Sequence, residues 1–318
     1  MGTPPYSAIF ILWTALRVAA LVAALWLLSR AWPIRGVSGL LCALLALAFY
    51  PVVVSLQVGQ PTALVLLGWA GGSAALRLGN ERSAGIWLTL AIVKPQHLPV
   101  ILLALVITRR WKALATSAVV VGLASIAVMP FAGWDWPLRF LSLLIKQATQ
   151  APNVVIDPAM MQNWRVFFMR VLNFSPSAPT YAAIAILLTI VAVPIAWWYA
   201  ARRSGLTLNV PLSPQSSVLY TKLWAFTLCA SLLASYHLLY PDLALAIVPG
   251  WIIAHMALSR SVRDPTRWLW LGWLWIGWTL GFVVNYQTIQ VALAPAWLAI
   301  TVVSLLVSAF GGRRTTDD

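Results

Sequence analysis

Long apolar stretches separated by short polar clusters set the plan of this chain. They cover residues 7–28, 37–55, 61–76, 113–129, 179–200, 218–234, 243–258, 268–284 and 291–310. Each approaches the roughly 17 to 25 residues that a helix needs to cross the hydrocarbon of a bilayer. One further stretch, residues 84–112, has a different pattern: AGIWLTLAIV, then Lys94-Pro95-Gln96-His97, then LPVILLALVIT, then Arg109-Arg110-Trp111-Lys112. The proline removes a backbone donor near the middle of what would otherwise be one spanning helix, and the lysine needs a polar cavity or a partner there. Broken helices with a charge at the break are a recurring way to build a site inside a membrane. The longest interval of weak hydropathy is 130–178, and it predicts an amphipathic helix over 133–146 and a second short helix after Asp157-Pro158.

Composition fixes the class. With 61% hydrophobic residues, 9% charged residues and a mean hydropathy of +0.86, the chain cannot cover itself with a normal polar surface. It reads as an all-α polytopic membrane protein, a single integral-membrane domain over residues 1–318. The net charge of +14 comes from short arginine and lysine clusters between apolar runs, the pattern of cytoplasmic anchoring, so nucleic acid is not an expected partner. Met1–Tyr6 has no basic leader region, and the first apolar run reads as a retained helix. Cys42 and Cys229 lie inside apolar runs with no metal-ligand companion, and no metal site is expected.

The charge pattern also predicts a path. With Arg30 and Arg35 inside, Arg77 and Arg82 are inside too, and the turn Gln57-Val58-Gly59-Gln60 is outside. A single crossing of the broken stretch would put Arg109, Arg110 and Lys112 outside with nearly every later basic cluster. A stretch that enters and returns keeps them inside, together with Arg202, Arg203, Arg260, Arg263, Arg267, Arg313 and Arg314, as the charge rule requires. The expectation is therefore an outside amino terminus, an inside carboxyl terminus, and nine crossings plus one re-entrant or tightly broken pair. Polar groups then collect on the outer side: Gln57 and Gln60, Lys94 to His97, the 130–178 loop with its interfacial helices, the run from Tyr236 to Asp242, and Asn285 to Gln287. Arg17, within the first run, reads as a side chain that snorkels to the headgroups. His255 and the tryptophan-rich run 268–278 read as packing. Asp135 and Asp157 read as helix caps.

The Lys94-Pro95-Gln96 break followed by an apolar arm and Arg109-Arg110-Trp111-Lys112, the Gln57 to Gln60 turn, the Asn163-Trp164-Arg165 segment after a long loop, and the Tyr236-His237 to Asp242 turn together resemble glycosyltransferase family 87. The resemblance extends over nearly the whole chain. It implies a GT-C type multi-helix bundle with outer-face amphipathic helices in a bacterial cytoplasmic membrane. It also implies a hexosyltransferase that moves mannose or another sugar from a polyprenyl-phosphate donor to a lipid or glycan acceptor on the outer face. No cofactor is implied beyond that lipid-linked donor. Such chemistry inverts the sugar carbon, with an aspartate taking the acceptor's proton and positive groups holding the departing phosphate.

On that basis Lys94 is the first candidate for the phosphate, with His97 and Arg165 next. Gln57, Gln60, Gln96, Asn163 and Tyr240 are further substrate-binding candidates. Asp242 and His237 are the catalytic candidates, with Asp242 positioning His237 or a sugar hydroxyl. Family members normally begin with another membrane helix and a first outer loop that carries the catalytic aspartate. Met1–Tyr6 resembles the end of that loop, so the expectation is a chain that lacks this acid. The residues alone leave open a transporter or flippase for a lipid-linked substrate, or a non-catalytic membrane subunit.

Overall fold

The computed structural model describes residues 6–149, 161–204, 214–235, 238–283 and 290–310. Fourteen α-helices follow one another: α1 (Tyr6–Ala31), α2 (Gly36–Leu47), α3 (Tyr50–Gln57), α4 (Thr62–Arg77), α5 (Glu81–Leu88), α6 (Pro99–Ile107), α7 (Trp111–Ala132), α8 (Trp136–Thr149), α9 (Trp164–Val171), α10 (Ala178–Ser204), α11 (Pro214–Ala234), α12 (Ile247–Leu258), α13 (Pro265–Val283) and α14 (Gln290–Phe310). Three 3-10 turns, Thr89–Val93, Pro95–His97 and Tyr240–Ala246, occupy places that matter for the site. The protein is an all-α polytopic membrane protein, as its apolar pattern requires. Among the described residues five segments are each long and apolar enough to cross a bilayer, and a sixth arises if α2 and α3, bent by 44° at their junction, count as one span. The nine expected crossings include α4, which at 16 residues is too short to meet that measure alone.

The α2–α3 bend was not anticipated from sequence. Pro51 lies in the first turn of α3, where its missing N–H costs nothing, while Phe49 leaves the helical region with φ −60° and ψ 117°. The break at Lys94 was anticipated and has a comparable cause. Lys94, ahead of Pro95, takes φ −133° and ψ 75°, outside the helical region. Pro99 then sits in the first turn of α6 and restarts the helix.

The broken stretch enters and returns. Glu81, at the start of α5, and Arg110, just past the end of α6, form an ion pair at 3.1 Å, so both ends of the hairpin lie together and Lys94–His97 is its far tip. Both arms pack on α7. Two glycines permit the close approach that holds the hairpin: a β-carbon on Gly71 of α4 would lie 2.5 Å from the Trp87 ring, and one on Gly85 of α5 would strike the carbonyl oxygen of Ala113. Ser117 adds a hydrogen bond from its hydroxyl to the Gly85 carbonyl at 2.9 Å.

Side-chain contacts sort the helix ends into two groups. At one end Arg77 lies over Trp32 (5.1 Å), and Trp251 of α12 donates to the Trp32 carbonyl (3.0 Å). Lys222 of α11 donates to the Ser308 carbonyl of α14 (2.6 Å), and Tyr199 of α10 meets Phe310 edge-on at 4.9 Å. The described basic clusters around Arg35, Arg77, Arg110, Arg202 and Arg260 belong to this end, referred to below as the arginine end. At the other end lie the tip of the hairpin, the start of α4, the end of α3 and the start of the 3-10 turn before α12. The amphipathic helix expected over 133–146 is α8, and Asp135 ahead of it pairs with Arg139 at 3.0 Å in an exposed position. The following helix, α9, takes its cap from Asn163, whose side-chain oxygen accepts from Val166 N–H at 3.4 Å; Asp157 lies outside the described residues.

Arg17 departs from expectation. It is fully buried instead of snorkelling. Its guanidinium donates to the carbonyls of Ser55 (3.0 Å) and Leu56 (2.9 Å) and to the hydroxyl of Thr14 (2.7 Å). The last carbonyls of α3 have no partner within their own helix, and a cation there meets both the lone pairs and the negative end of the helix dipole. Phe10 and Trp13 flank the same charge at 5.8 Å and 5.5 Å from their ring centres.

Candidate functional site

Three segments that are distant in sequence converge opposite the arginine end. The hairpin tip contributes Lys94 and His97, the first residue of α4 contributes Thr62, and the 3-10 turn Tyr240–Ala246 contributes Asp242. The Lys94 ammonium is ion-paired with Asp242 Oδ1 and donates to Thr62 Oγ1 at 3.1 Å. Thr62 in turn donates to Asp242 Oδ1 at 3.0 Å. The second carboxylate oxygen accepts from the backbone N–H of Leu239 at 3.3 Å and faces His97 Nε2 at 3.6 Å.

Local sequence explains each placement. Pro241 starts the 3-10 turn, and Asp242 closes it by bonding back to Leu239, which aims the carboxylate at the hairpin. Lys94 stands at the one non-helical residue between two 3-10 turns, so its side chain leaves the bundle axis toward α4. Ser231 of α11 donates to the His97 carbonyl at 2.6 Å, and Trp69 of α4 meets the imidazole edge-on at 6.3 Å and 90°. Those contacts leave both ring nitrogens of His97 without a hydrogen bond in a fully buried position.

Burial sets the chemistry. Asp242, His97 and Thr62 are fully enclosed, while the Lys94 side chain keeps 9% of its surface. A lysine and an aspartate removed from water to this extent are stable only as a pair with further hydrogen bonds, and Thr62 and Leu239 N–H provide them. Of these four residues Lys94 alone keeps contact with the surface. No group of three or more histidine, cysteine or acidic side chains able to hold a metal occurs among the described residues.

The other sequence candidates are placed as follows. Gln57 is exposed at the end of α3, and Gln60 is half-buried beside Thr62, its backbone N–H bonded to the Ser55 carbonyl at 3.0 Å. Gln96 is half-buried at the hairpin tip. Asn163 is fully buried, and its amide nitrogen donates to the Ser235 carbonyl at 2.7 Å, tying α9 to the stretch that leads to Asp242. Gln162 N–H bonds the Leu238 carbonyl at 2.6 Å in the same tie, beside a single bridge between Met161 and Leu239. Arg165 is half-buried in the first turn of α9. Tyr240 packs against Tyr50 with ring centres 5.9 Å apart. His237 and Asn285 to Gln287 lie outside the described residues. Asp242, expected to position His237 or a sugar hydroxyl, is engaged with Lys94 and faces His97. Thr62 was missed; its only sequence signal was a polar residue two positions after the Gln57 to Gln60 turn.

Fold and site define a class: a multi-pass membrane protein whose hairpin carries a buried, paired lysine to the end opposite the basic clusters around Arg35, Arg77, Arg110 and Arg260. The sequence matches glycosyltransferase family 87 over residues 1–219, and the chain belongs to that family. Thr62, Lys94, His97 and Asn163 lie within the matched region, and Asp242 lies beyond it. Among curated proteins and solved structures nothing matches this chain. As a member of family 87 the protein is a membrane glycosyltransferase in the general sense.

Proposed function

We propose that the protein transfers a sugar, mannose or another hexose, from a polyprenyl-phosphate donor to a lipid or glycan acceptor at the outer face of the cytoplasmic membrane, with Lys94 receiving the donor phosphate. The observation that carries this reading is the Lys94–Asp242–Thr62 cluster at the tip of the hairpin. The tip lies away from the basic clusters around Arg35, Arg77, Arg110 and Arg260, which the charge rule assigns to the cytoplasm. The amino terminus then faces outward.

In the reaction, an acceptor hydroxyl attacks the anomeric carbon while the bond from that carbon to the phosphate oxygen breaks, and polyprenyl phosphate departs with the electron pair. Negative charge grows on the phosphate, and a preplaced ammonium in a site closed to water favours that change. Asp242 and Thr62 hold Lys94 ready in the absence of donor. Once the phosphate draws the ammonium away, the Asp242 carboxylate is left without its neutralising partner and is available to the acceptor's proton. His97 stands 3.6 Å from that carboxylate to receive or return it. Asn163 acts as a positioning residue through Ser235.

An apolar cavity of about 190 Å³ supports a lipid-linked donor. It is lined by Phe49, Ala246, Ile247, Trp251, Leu274 and Trp278, and it begins four residues after Asp242 on the same turn. An isoprenoid chain lying there would have its phosphate toward Lys94. The test is sugar transfer by membranes containing the protein, supplied with labelled polyprenyl-phosphate sugars in turn. Transfer from at least one donor that is lost in Lys94→Ala is expected. Folded protein inactive with every donor would reject the transferase reading, and full activity in Lys94→Ala would reject the role of the lysine.

A further inference from the structure

The arginine end holds a second cluster that the transfer reaction does not use. A cavity of about 310 Å³ opens there between α4, α11, α12, α13 and α14, and its lining includes Arg77, Lys222 and Arg260 with no carboxylate among the described lining residues. A neighbouring cavity of about 390 Å³ shares His255 and Ser259 with it and adds Arg35 and Arg267. Five cations thus line two adjoining spaces, and one of them, Arg260, is paired with Asp264 at 2.9 Å.

Anchoring alone does not account for this arrangement. Basic residues that only set topology point outward into water and headgroups, where like charges separate. These come from five elements and turn toward common spaces. Lys222 is fixed by the Ser308 carbonyl at 2.6 Å, Arg267 by the Arg260 carbonyl at 3.1 Å, and Arg77 lies over Trp32, so they cannot simply swing apart. Arg267 Nε is buried without a hydrogen-bond partner, a donor that costs free energy until something accepts from it. The same lining carries the apolar side chains of Ile253, Met256 and Trp270. Basic pockets between membrane helices near the cytoplasmic surface are suited to the phosphates of anionic lipid headgroups.

We propose that these joined cavities bind a phosphate group, with Arg77, Lys222, Arg260 and Arg267 as its donors and the headgroup of an anionic phospholipid as its source. Binding here bridges α4, α11, α13 and the turn after α12 at the end remote from Lys94, so the phosphate stabilises the bundle without entering the transfer site.

The test uses the full chain in detergent micelles doped with phosphatidylglycerol or phosphatidylcholine, or supplied with inorganic phosphate, at one ionic strength. Bound lipid is counted by native mass spectrometry, and the thermal midpoint is measured in each condition. Retention of phosphatidylglycerol with a raised midpoint, and neither effect from phosphatidylcholine, is expected. Arg260→Gln and Arg77→Gln should each weaken that binding about five-fold, the effect of one basic side chain at a lipid surface. Arg263→Gln, an exposed cation outside both linings, should leave it unchanged. A midpoint raised by inorganic phosphate to the same extent would keep the phosphate site and assign it a soluble occupant. Equal response to both lipids, or equal loss in Arg263→Gln, would overturn the proposal. The readout is binding, so it stands or falls independently of sugar transfer.

Discussion

Removing one member of the Lys94–Asp242 pair should cost more than removing both, and the two single losses should be unequal. Replacing Asp242 with leucine leaves the ammonium with its hydrogen bond to Thr62 in a position where 9% of the side chain is exposed. Stripping one partner from a buried pair costs about 3 to 5 kcal/mol. Replacing Lys94 with methionine leaves the carboxylate with three neighbours: Thr62 Oγ1 at 3.0 Å, Leu239 N–H at 3.3 Å and His97 Nε2 at 3.6 Å. Two hydrogen bonds to a charge are worth roughly 1.5 to 3 kcal/mol each, and both remain in this variant, so this loss should be smaller, about 2 kcal/mol. The double variant Lys94→Met with Asp242→Leu removes both charges and should recover most of the larger loss. Unfolding of each variant in mixed micelles, followed by tryptophan fluorescence, gives the coupling energy directly. A coupling near zero, with the single losses simply adding, would refute the pair. Sugar transfer measured alongside separates structure from chemistry: the double variant should keep its fold and remain inactive.

Other consequences can be measured individually. Arg17→Met removes two charged hydrogen bonds to the end of α3 and should destabilise the protein by about 2 to 4 kcal/mol in the same assay, whereas a surface-snorkelling arginine would tolerate the change. Gly71→Leu forces a side chain into the Trp87 ring and should cost more than about 3 kcal/mol or abolish folded protein on size-exclusion chromatography. Arg110→Gln should loosen the base of the hairpin and raise cleavage near residues 78–82 by added protease, because Glu81 loses its partner. Single cysteines at Arg82, Arg109 and Arg263, in a background without Cys42 and Cys229, should react with an impermeant thiol reagent from one side of the membrane. Cysteines at Gln57 and Asp135 should react from the other. Labelling of Arg82 and Arg109 from opposite sides would mean that the stretch crosses instead of returning.

The class of the protein and the return of the broken stretch were legible in the sequence because both follow from one-dimensional rules. Apolar length measures the bilayer, Pro95 and Pro99 interrupt a helix wherever they fall, and the alternating arginine clusters make sense only if residues 84–112 end where they began. The amphipathic helix α8 was legible for the same reason. Which residues make up the site was legible only in part. Lys94 drew attention because a charge at a break is costly, but nothing in the order of residues says that its counter-charge is Asp242, 148 positions away. Thr62 looked like the start of an ordinary apolar run. Arg17 was misread because snorkelling needs only a helix end, whereas burial needs the carbonyls of Ser55 and Leu56, and the bend between α2 and α3 brings those carbonyls to it. The sequence alone therefore determines how the chain divides between hydrocarbon and water, since that division depends on each residue's own transfer free energy. The partners of the buried charges follow from tertiary packing, since a buried ion is stable only where distant segments bring it the hydrogen bonds that water no longer supplies.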